Sequence, residues 1–184
     1  MVKQLWNAKR LDIRLWEPER DAIAAHQIYG DPAVMQFIRE PSPNLAATIE
    51  TLQRYRNLTL QGKQGTGAWA VIEKDTAQPI GTILLVELAD NNGDRRTGKI
   101  EIGWHFRQAS WGQGFAFEAA TCLLNYGFNV LKLPIIYAVL REDNWRSRRL
   151  AERLQMSPLG KTKEFYNTEL LLFELAAKTV IKSN

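Results

Sequence analysis

Two glycines separated by one residue, Gly112 and Gly114, lie between a segment that alternates in polarity and a segment with a helical repeat. Glycine here has an entropic cost, so the pair indicates a turn that side chains would block or a ligand that contacts the main chain. The first N–H groups of the next helix have no intrahelical partner, and the helix dipole adds partial positive charge. Such a turn can bind a phosphate or diphosphate, or it is a tight strand-to-helix turn that binds nothing.

Two other phosphate-binding patterns are excluded, one because its motif is absent and one because its motif precedes the wrong element. The chain has no GxxxxGK[ST] motif, which argues against a P-loop kinase or NTPase. The stretch GTGAWA at 65–70 has the spacing of a dinucleotide fingerprint, but it precedes a strand instead of opening a helix. The sequence therefore predicts no Rossmann domain.

The elements around the glycine pair predict a parallel strand pair. KIEIGWHF at 99–106 alternates as a strand, with Glu101 and His105 on one face, and a helical apolar repeat begins near Ala116. IIYAVL at 135–140 is apolar without alternation and is predicted as a strand buried on both faces. A helical crossover between two strands makes them parallel and the connection right-handed.

The rest of the chain predicts further helices and strands. Asp143 or Asn144 can cap a helix over NWRSRRLAERLQ. Further predictions are a first strand at 10–16, a helix at 18–38 interrupted at Gly30-Asp31-Pro32, a helix at 45–60, a hairpin of 68–74 with 80–88, and a closing strand pair of KTKEFYN and ELLLFEL. The predicted fold class is α/β, a mixed sheet with helices on its faces, in a single domain over 1–184.

Composition limits the class of protein. The chain has 184 residues, 45% of them hydrophobic and 24% charged, as in an ordinary soluble globule. No apolar run reaches the roughly 18 residues of a membrane span, and the N-terminus lacks a signal-peptide core, so we expect a cytoplasmic protein without membrane contact. Cys122 lies on a helical apolar stripe and is predicted as a buried thiol, and two histidines make a metal site improbable. The net charge of +4 suits an anionic ligand or a nucleic acid.

The order of these motifs resembles a known family. IGWHFRQASWGQGFAFEAATCLLNYGFNVLKLPIIYAVLREDNWRSRRLAERLQM, at 102–156, looks like the acyl-CoA core of GNAT N-acetyltransferases. It is most similar to the Rim-type ribosomal-protein N-terminal (alanine/serine) acetyltransferases, whose usual sequence pattern is IGYWL-x-P-x-YWGKGYATEA followed by ENxxSxRVLEKLGF. Residues 10–38 and ELLLFEL also resemble that branch, so the likeness covers nearly the whole chain. Trp111 stands where the family usually has Gln or Arg, and QMS replaces LGF.

The resemblance implies a fold, a co-substrate and binding residues. The fold is a central, mostly antiparallel sheet with one splayed parallel strand pair and helices on both faces. Acetyl-CoA is the implied co-substrate, and no metal is implied. The main chain of Trp104, His105 and Phe106 would pair with the pantetheine arm, and the diphosphate would be held by Trp111, Gly112, Gln113, Gly114, Phe115 and Ala116. Asn144 would hydrogen-bond the pantetheine end near the sulfur, and Ser147 would lie near the thiol. The alternative explanations are a helix cap for Asn144 and a first-turn serine for Ser147.

Acetyl transfer to an amine needs a base, an oxyanion donor and an acid for the thiolate. Glu101 is the first candidate base and Glu87 the second, with Ser147 as a further catalytic candidate. A solvated strand face is the alternative explanation for Glu101. Tyr166 and Tyr137 are candidate acids, unless they are packing tyrosines.

The acceptor amine is predicted only as a class. The branch implies a protein N-terminus, with ribosome association, whereas the wider family also serves polyamines, amino acids and antibiotics. The helices at 17–60 and the loop at 89–98 would shape the acceptor cleft. A CoA-binding module without turnover and an RNA-binding protein are further alternatives, in a monomer or homodimer. Five arginines lie on or beside one predicted helix. They would hold the phosphates of CoA, attract an acidic partner such as the ribosome or RNA, or merely form a solvated helix face: Arg141, Arg146, Arg148, Arg149 and Arg153.

Overall fold

The computed structural model describes residues 4–62 and 65–177, with the side chains of residues 4–7 left aside. The elements in chain order are strands β1 (Gln4–Asn7) and β2 (Leu11–Arg14), helices α1 (Pro18–Tyr29), α2 (Pro32–Met35) and α3 (Leu45–Gln61), strands β3 (Gly67–Glu73), β4 (Gln78–Glu87) and β5 (Ile100–Phe106), helix α4 (Phe115–Asn129), strand β6 (Ile135–Leu140), helix α5 (Trp145–Arg153), and strands β7 (Ser157–Thr162) and β8 (Leu170–Ala176).

The chain forms two compact units. The first contains the described residues up to Leu84 together with Trp104–Cys122, and the second contains Leu85–Gly103 and the described residues from Leu123 onward. Strands β4 and β5 and helix α4 therefore each have residues in both units.

The first unit has the strand order β1-β2-β3-β4-β5, and β2 pairs antiparallel with both β1 and β3. Its core joins the end of β2 to α1, α2, α3 and β3, and includes Trp16, Tyr29, Met35, Leu52 and Ala70, among others. Local capping explains where the helices begin, because polar side chains satisfy free N–H groups of the first turn. Asp31 accepts from the N–H of Ala33 at 2.8 Å in α2, and Asn44 accepts from the N–H of Ala47 at 2.9 Å in α3.

The predicted interruption of the first helix is confirmed, since α1 ends at Tyr29 and α2 begins at Pro32. The first strand is shorter than predicted and follows β1, which the sequence analysis missed. Four residues contain too few alternations to identify a strand.

The second unit contains the predicted parallel pair, with Glu101 of β5 opposite Tyr137 of β6. Strand β8 lies between β6 and β7 and pairs antiparallel with both of them. The expectation that β6 is buried on both faces was wrong, because Ile135, Tyr137 and Val139 are only half-buried. The last two pack on a small cluster of Leu88, Phe165 and Leu170, which does not cover that face completely.

The closing strand pair was also misplaced. Strand β7 begins at Ser157 and ends at Thr162, so most of KTKEFYN lies in a turn. Tyr166 and Asn167 have φ values of +57° and +53°, in the left-handed region typical of turns and outside the range of a regular strand.

Cys122 is a free thiol and is half-buried, less buried than predicted. Burial, and secondarily the charge of Glu118, raises the pKa of this thiol, which disfavours the thiolate.

Within residues 4–62 and 65–177, no helix is both long enough and apolar enough to cross a bilayer. The same ranges contain no group of three or more His, Cys, Asp and Glu side chains arranged to hold a metal ion.

Candidate active site

The glycine turn of the first unit exposes a row of main-chain donors. Gly112 and Gly114 have φ values of +75° and +81°, in the left-handed region, and α4 begins at Phe115. Among the residues that the structure describes, none accepts a hydrogen bond from the main-chain N–H groups of residues 112–116. Consecutive free N–H groups in a turn that opens a helix form a concave anion site. The turn therefore has the donors that a diphosphate requires.

Arg10 fixes this turn from the start of β2. Its main-chain N–H and its Nε donate to the two carboxylate oxygens of Glu118, at 2.6 and 2.8 Å. Its Nη1 donates to the carbonyl oxygen of Gln113 at 2.9 Å, and its guanidinium lies 4.4 Å from the centre of the Phe115 ring. Sequence analysis missed Arg10, because its partners lie more than a hundred positions away and no local pattern connects them.

Trp111 anchors the turn from its other end. Its indole Nε1 donates to the carbonyl oxygen of Phe106 at 2.8 Å, and its main-chain N–H donates to Gln108 at 3.0 Å. Both of its N–H donors are therefore used within the protein. Its predicted contact with the cofactor stays a prediction, and any such contact has to be made without an N–H donor.

His105 lies on β5, and its half-buried ring packs against an aromatic side chain. Its ring meets the ring of Tyr29 edge-on, with centroids 6.0 Å apart, and Tyr29 in turn contacts Tyr55 at 5.7 Å. Burial, and secondarily the positive charge of Arg39, lowers the pKa of His105 to about 4, so the imidazole is neutral at pH 7. Its Nδ1 is buried and has no hydrogen-bond partner among the described residues.

Glu101 is the most perturbed carboxyl group of the second unit. Its side chain lies on β5 and is only 8% exposed, which excludes the solvated face that its sequence pattern allowed. Burial raises the pKa of Glu101 from 4.5 to about 7, while a hydrogen bond from Tyr166 and the charge of Arg95 act in the opposite direction. A carboxyl group with this pKa exchanges protons near neutral pH.

A constrained turn holds Tyr166 against this carboxyl group. The Tyr166 hydroxyl donates to Glu101 Oε1, and burial together with the Glu101 charge raises the pKa of the phenol. The next residue, Asn167, is tied to Asn91 by two hydrogen bonds, of 2.9 and 2.6 Å. Glu87, the second candidate base, instead accepts from the N–H of Gly98 at 2.6 Å and supports that loop.

Asn144 combines a structural contact with an unused donor. Its Oδ1 caps α5 by accepting from the N–H of Ser147 at 3.2 Å, as predicted. Among the described residues, none accepts from its Nδ2. The same helix carries exposed arginines, of which Arg148 pairs with Glu152 at 2.9 Å and Arg146 and Arg149 lie over the Trp145 ring.

Comparisons with known proteins agree over most of the chain. Residues 10–157 match the acetyltransferase (GNAT) domain family. The chain is 29% identical over 175 residues to the Bacillus licheniformis protein named uncharacterized N-acetyltransferase p20, covering 95% of this chain and 94% of that protein.

Solved structures have the same fold. A GNAT-family acetyltransferase from Bacillus anthracis has a TM-score of 0.77 and 25% identity, covering 94% of this chain and 98% of that one. The ribosomal-protein-S5-alanine acetyltransferase from Vibrio fischeri has a TM-score of 0.73 and 15% identity, with 95% and 97% covered. The mixed, mostly antiparallel sheet with its parallel β5–β6 pair is therefore the GNAT fold, as predicted. The chain belongs to the GNAT family of N-acetyltransferases.

Proposed function

We propose that this N-acetyltransferase transfers the acetyl group of acetyl-CoA to the α-amine of a protein N-terminus, as the Rim-type branch does. The family implies acetyl-CoA as co-substrate. The observation that carries the proposal is the row of unpartnered N–H groups at residues 112–116, because a diphosphate is the part of acetyl-CoA that needs such donors. The resemblance of residues 102–156 to the Rim-type branch supports the choice of acceptor.

Both units contain residues that the family resemblance assigns to cofactor binding. In the first unit, Gly112, Gln113, Gly114, Phe115 and Ala116 are proposed to hold the diphosphate, and the main chain of Trp104, His105 and Phe106 to pair with the pantetheine arm. In the second unit, the free Nδ2 of Asn144 is proposed to donate to a pantetheine carbonyl. Ser147 is proposed to donate a hydrogen bond to the sulfur of the leaving thiolate.

Bound acetyl-CoA supplies a thioester carbonyl that an amine attacks, with a thiolate as leaving group. Glu101 is proposed to accept the proton that the amine loses as the C–N bond forms. Tyr166 orients its carboxylate by the hydrogen bond to Oε1. A pKa of about 7 at Glu101 suits an α-amine, whose reference pKa is about 8, better than a lysine with about 10.4.

Labelled acetyl-CoA tests the proposal directly. Four acceptors are compared by mass spectrometry: a peptide beginning with Ala, one beginning with Ser, an N-terminally blocked peptide with an internal Lys, and spermidine. We expect label on the free N-termini and none on the blocked peptide. Faster transfer to spermidine would instead identify a small-molecule acetyltransferase.

Calorimetric titration with acetyl-CoA separates binding from turnover. Binding without transfer to any of the four acceptors would indicate a CoA-binding module. Absence of binding would overturn the whole assignment.

A further inference from the structure

Two arginines of the first unit donate to one hydroxyl group. Arg39 Nη2, in the segment between α2 and α3, and Arg54 Nη2, on α3, each lie 3.0 Å from Thr51 Oγ1. The Thr51 hydroxyl itself donates to the carbonyl oxygen of Ala47 at 3.0 Å, and its side chain is buried. The oxygen therefore accepts two charged donors, and the two guanidinium groups are held close to each other.

Among the described residues, neither arginine of this pair forms an ion pair. In the part of the chain that the structure describes, no carboxylate oxygen lies within 4.0 Å of either guanidinium group. Three other arginines, Arg10, Arg14 and Arg148, do each pair with a carboxylate. Both side chains of the pair are exposed, so an external anion can reach them. Two neighbouring cations on a neutral oxygen repel each other, and an oxyanion placed between them relieves the repulsion.

The arginine pair lies near the end of β5. The Arg39 guanidinium lies 5.9 Å from the centre of the Tyr29 ring, and the same ring contacts His105 edge-on at 6.0 Å. A single tyrosine ring therefore separates Arg39 from the strand to which the proposed function assigns the pantetheine arm. The charge of Arg39 acts at His105, where it helps to lower the pKa of the imidazole.

We propose that Arg39 and Arg54 bind an oxyanion carried by the acceptor molecule, either a carboxylate or a phosphate, and so make the enzyme selective for anionic amines. The inference rests on the proposed acetyl transfer and names a feature of its acceptor. Arginine is suited to this role because its planar fork offers parallel N–H donors to two oxygens of one group.

Matched peptides test the selectivity. Tetrapeptide amides begin with Ala and carry Asp or Asn at the second or third position, and a further pair carries phosphoserine or serine. We expect kcat/KM to be about ten-fold or more higher for the anionic member of at least one pair, as is typical of a charge-assisted hydrogen bond. The Asp and phosphoserine arms distinguish a carboxylate from a phosphate.

Substitution of the two arginines tests whether they cause the preference for anionic peptides. Arg39→Gln and Arg54→Gln should each reduce the ratio of kcat/KM between the anionic and neutral peptides toward one, mainly through KM for the anionic peptide. Arg20→Gln is the matched control, since Arg20 is an exposed arginine of the same unit that already pairs with Glu17 at 3.0 Å. The control should retain the wild-type ratio.

Failure of this inference is separable from failure of the proposed function. If the wild type acetylates neutral and anionic peptides of every pair equally well, the anion site is wrong and acetyl transfer stands. If the wild type neither binds acetyl-CoA nor transfers label, the proposed function is wrong. If both glutamine variants fail to fold, two wild-type measurements test the anion site instead. They are the ratio of kcat/KM between anionic and neutral peptides, and the inhibition by sulfate, at constant ionic strength, of transfer to the anionic peptide. A preference that survives in folded glutamine variants would also overturn the assignment.

Discussion

Glu101 has a pKa near the working pH because the fold removes it from water. Burial raises that pKa to about 7. The second candidate, Glu87 at the end of β4, accepts a hydrogen bond from the main-chain N–H of Gly98. The histidine of the same strand, His105 in the first unit, does not titrate in this range, because burial lowers its pKa to about 4. Of these two groups on β5, Glu101 is therefore the one that titrates near pH 7.

We expect kcat/KM to rise with pH through about 7 in the wild type, as the Glu101 carboxylate forms. Glu101→Gln should remove this limb of the profile and reduce kcat by about 10²–10⁴-fold, the usual contribution of a general base. Tyr166→Phe should move the limb to higher pH, because the hydrogen bond that lowers the Glu101 pKa is lost. Glu87→Gln is the control, and loss of the limb in that variant alone would reassign the base.

The same carboxyl group makes stability depend on pH. The folded state holds a proton on Glu101 up to about pH 7, while the unfolded state releases it near 4.5, so wild-type stability falls as pH rises through this window. The full loss is about 3 kcal/mol. In denaturant unfolding, the free energy of unfolding of Glu101→Gln should increase by about this amount relative to that of the wild type as the pH rises from 4.5 to 8. If the difference in free energy of unfolding between the two proteins does not change with pH, Glu101 has an ordinary pKa.

At the scale of elements, the strand–turn–helix β5–α4 depends on backbone geometry at Gly112 and Gly114. A side chain at Gly112 would meet no atom within 4 Å, so substitution acts only through its φ of +75°. Gly112→Ala should cost about 1 kcal/mol in backbone strain. It should also reduce the affinity for acetyl-CoA at least ten-fold, because the N–H row is displaced.

Gly160 in β7 provides a matched control for this effect. Its φ is +99°, and a side chain there would also meet nothing within 4 Å. Gly160→Ala should therefore lower the melting temperature comparably and leave the affinity for acetyl-CoA unchanged, as measured by calorimetry. Equal affinity losses in both variants would indicate general destabilisation instead of a diphosphate contact.

Some elements were predictable because their signals are local. The bounds of α3, α4 and α5 follow from apolar periodicity and capping residues such as Asn44 and Asn144. The end of β7 was not predictable, because the turn at Tyr166 and Asn167 is held by contacts with Asn91, far away in sequence.

At the scale of the whole molecule, binding of acetyl-CoA should appear as added stability. A ligand that binds only the folded state at 100 times its Kd contributes about 2.7 kcal/mol. For a chain of this length, each kcal/mol raises the melting temperature by roughly 2–4 °C. Acetyl-CoA should therefore raise it by roughly 5–10 °C in a thermal shift experiment.

Pantetheine, which lacks the diphosphate, should give a much smaller rise at the same concentration. A rise equal to that with acetyl-CoA would show that the glycine turn does not bind the diphosphate. Stabilisation by an RNA oligonucleotide that falls steeply with salt would instead support the nucleic-acid alternative for this chain of net charge +4.

The sequence by itself determined the fold class, because the glycine turn, the crossover helix and the Asn144 cap are local signals that follow one another along the chain. The resemblance of residues 102–156 to GNAT enzymes indicated the family. The sequence also identified Glu101 as a candidate base. Only the tertiary structure decided that Glu101 is buried against Tyr166, that Arg10 holds the turn, and that Arg39 and Arg54 converge on Thr51. Burial and the pairing of charges between distant segments depend on how the chain packs, and no local pattern of residue types records that.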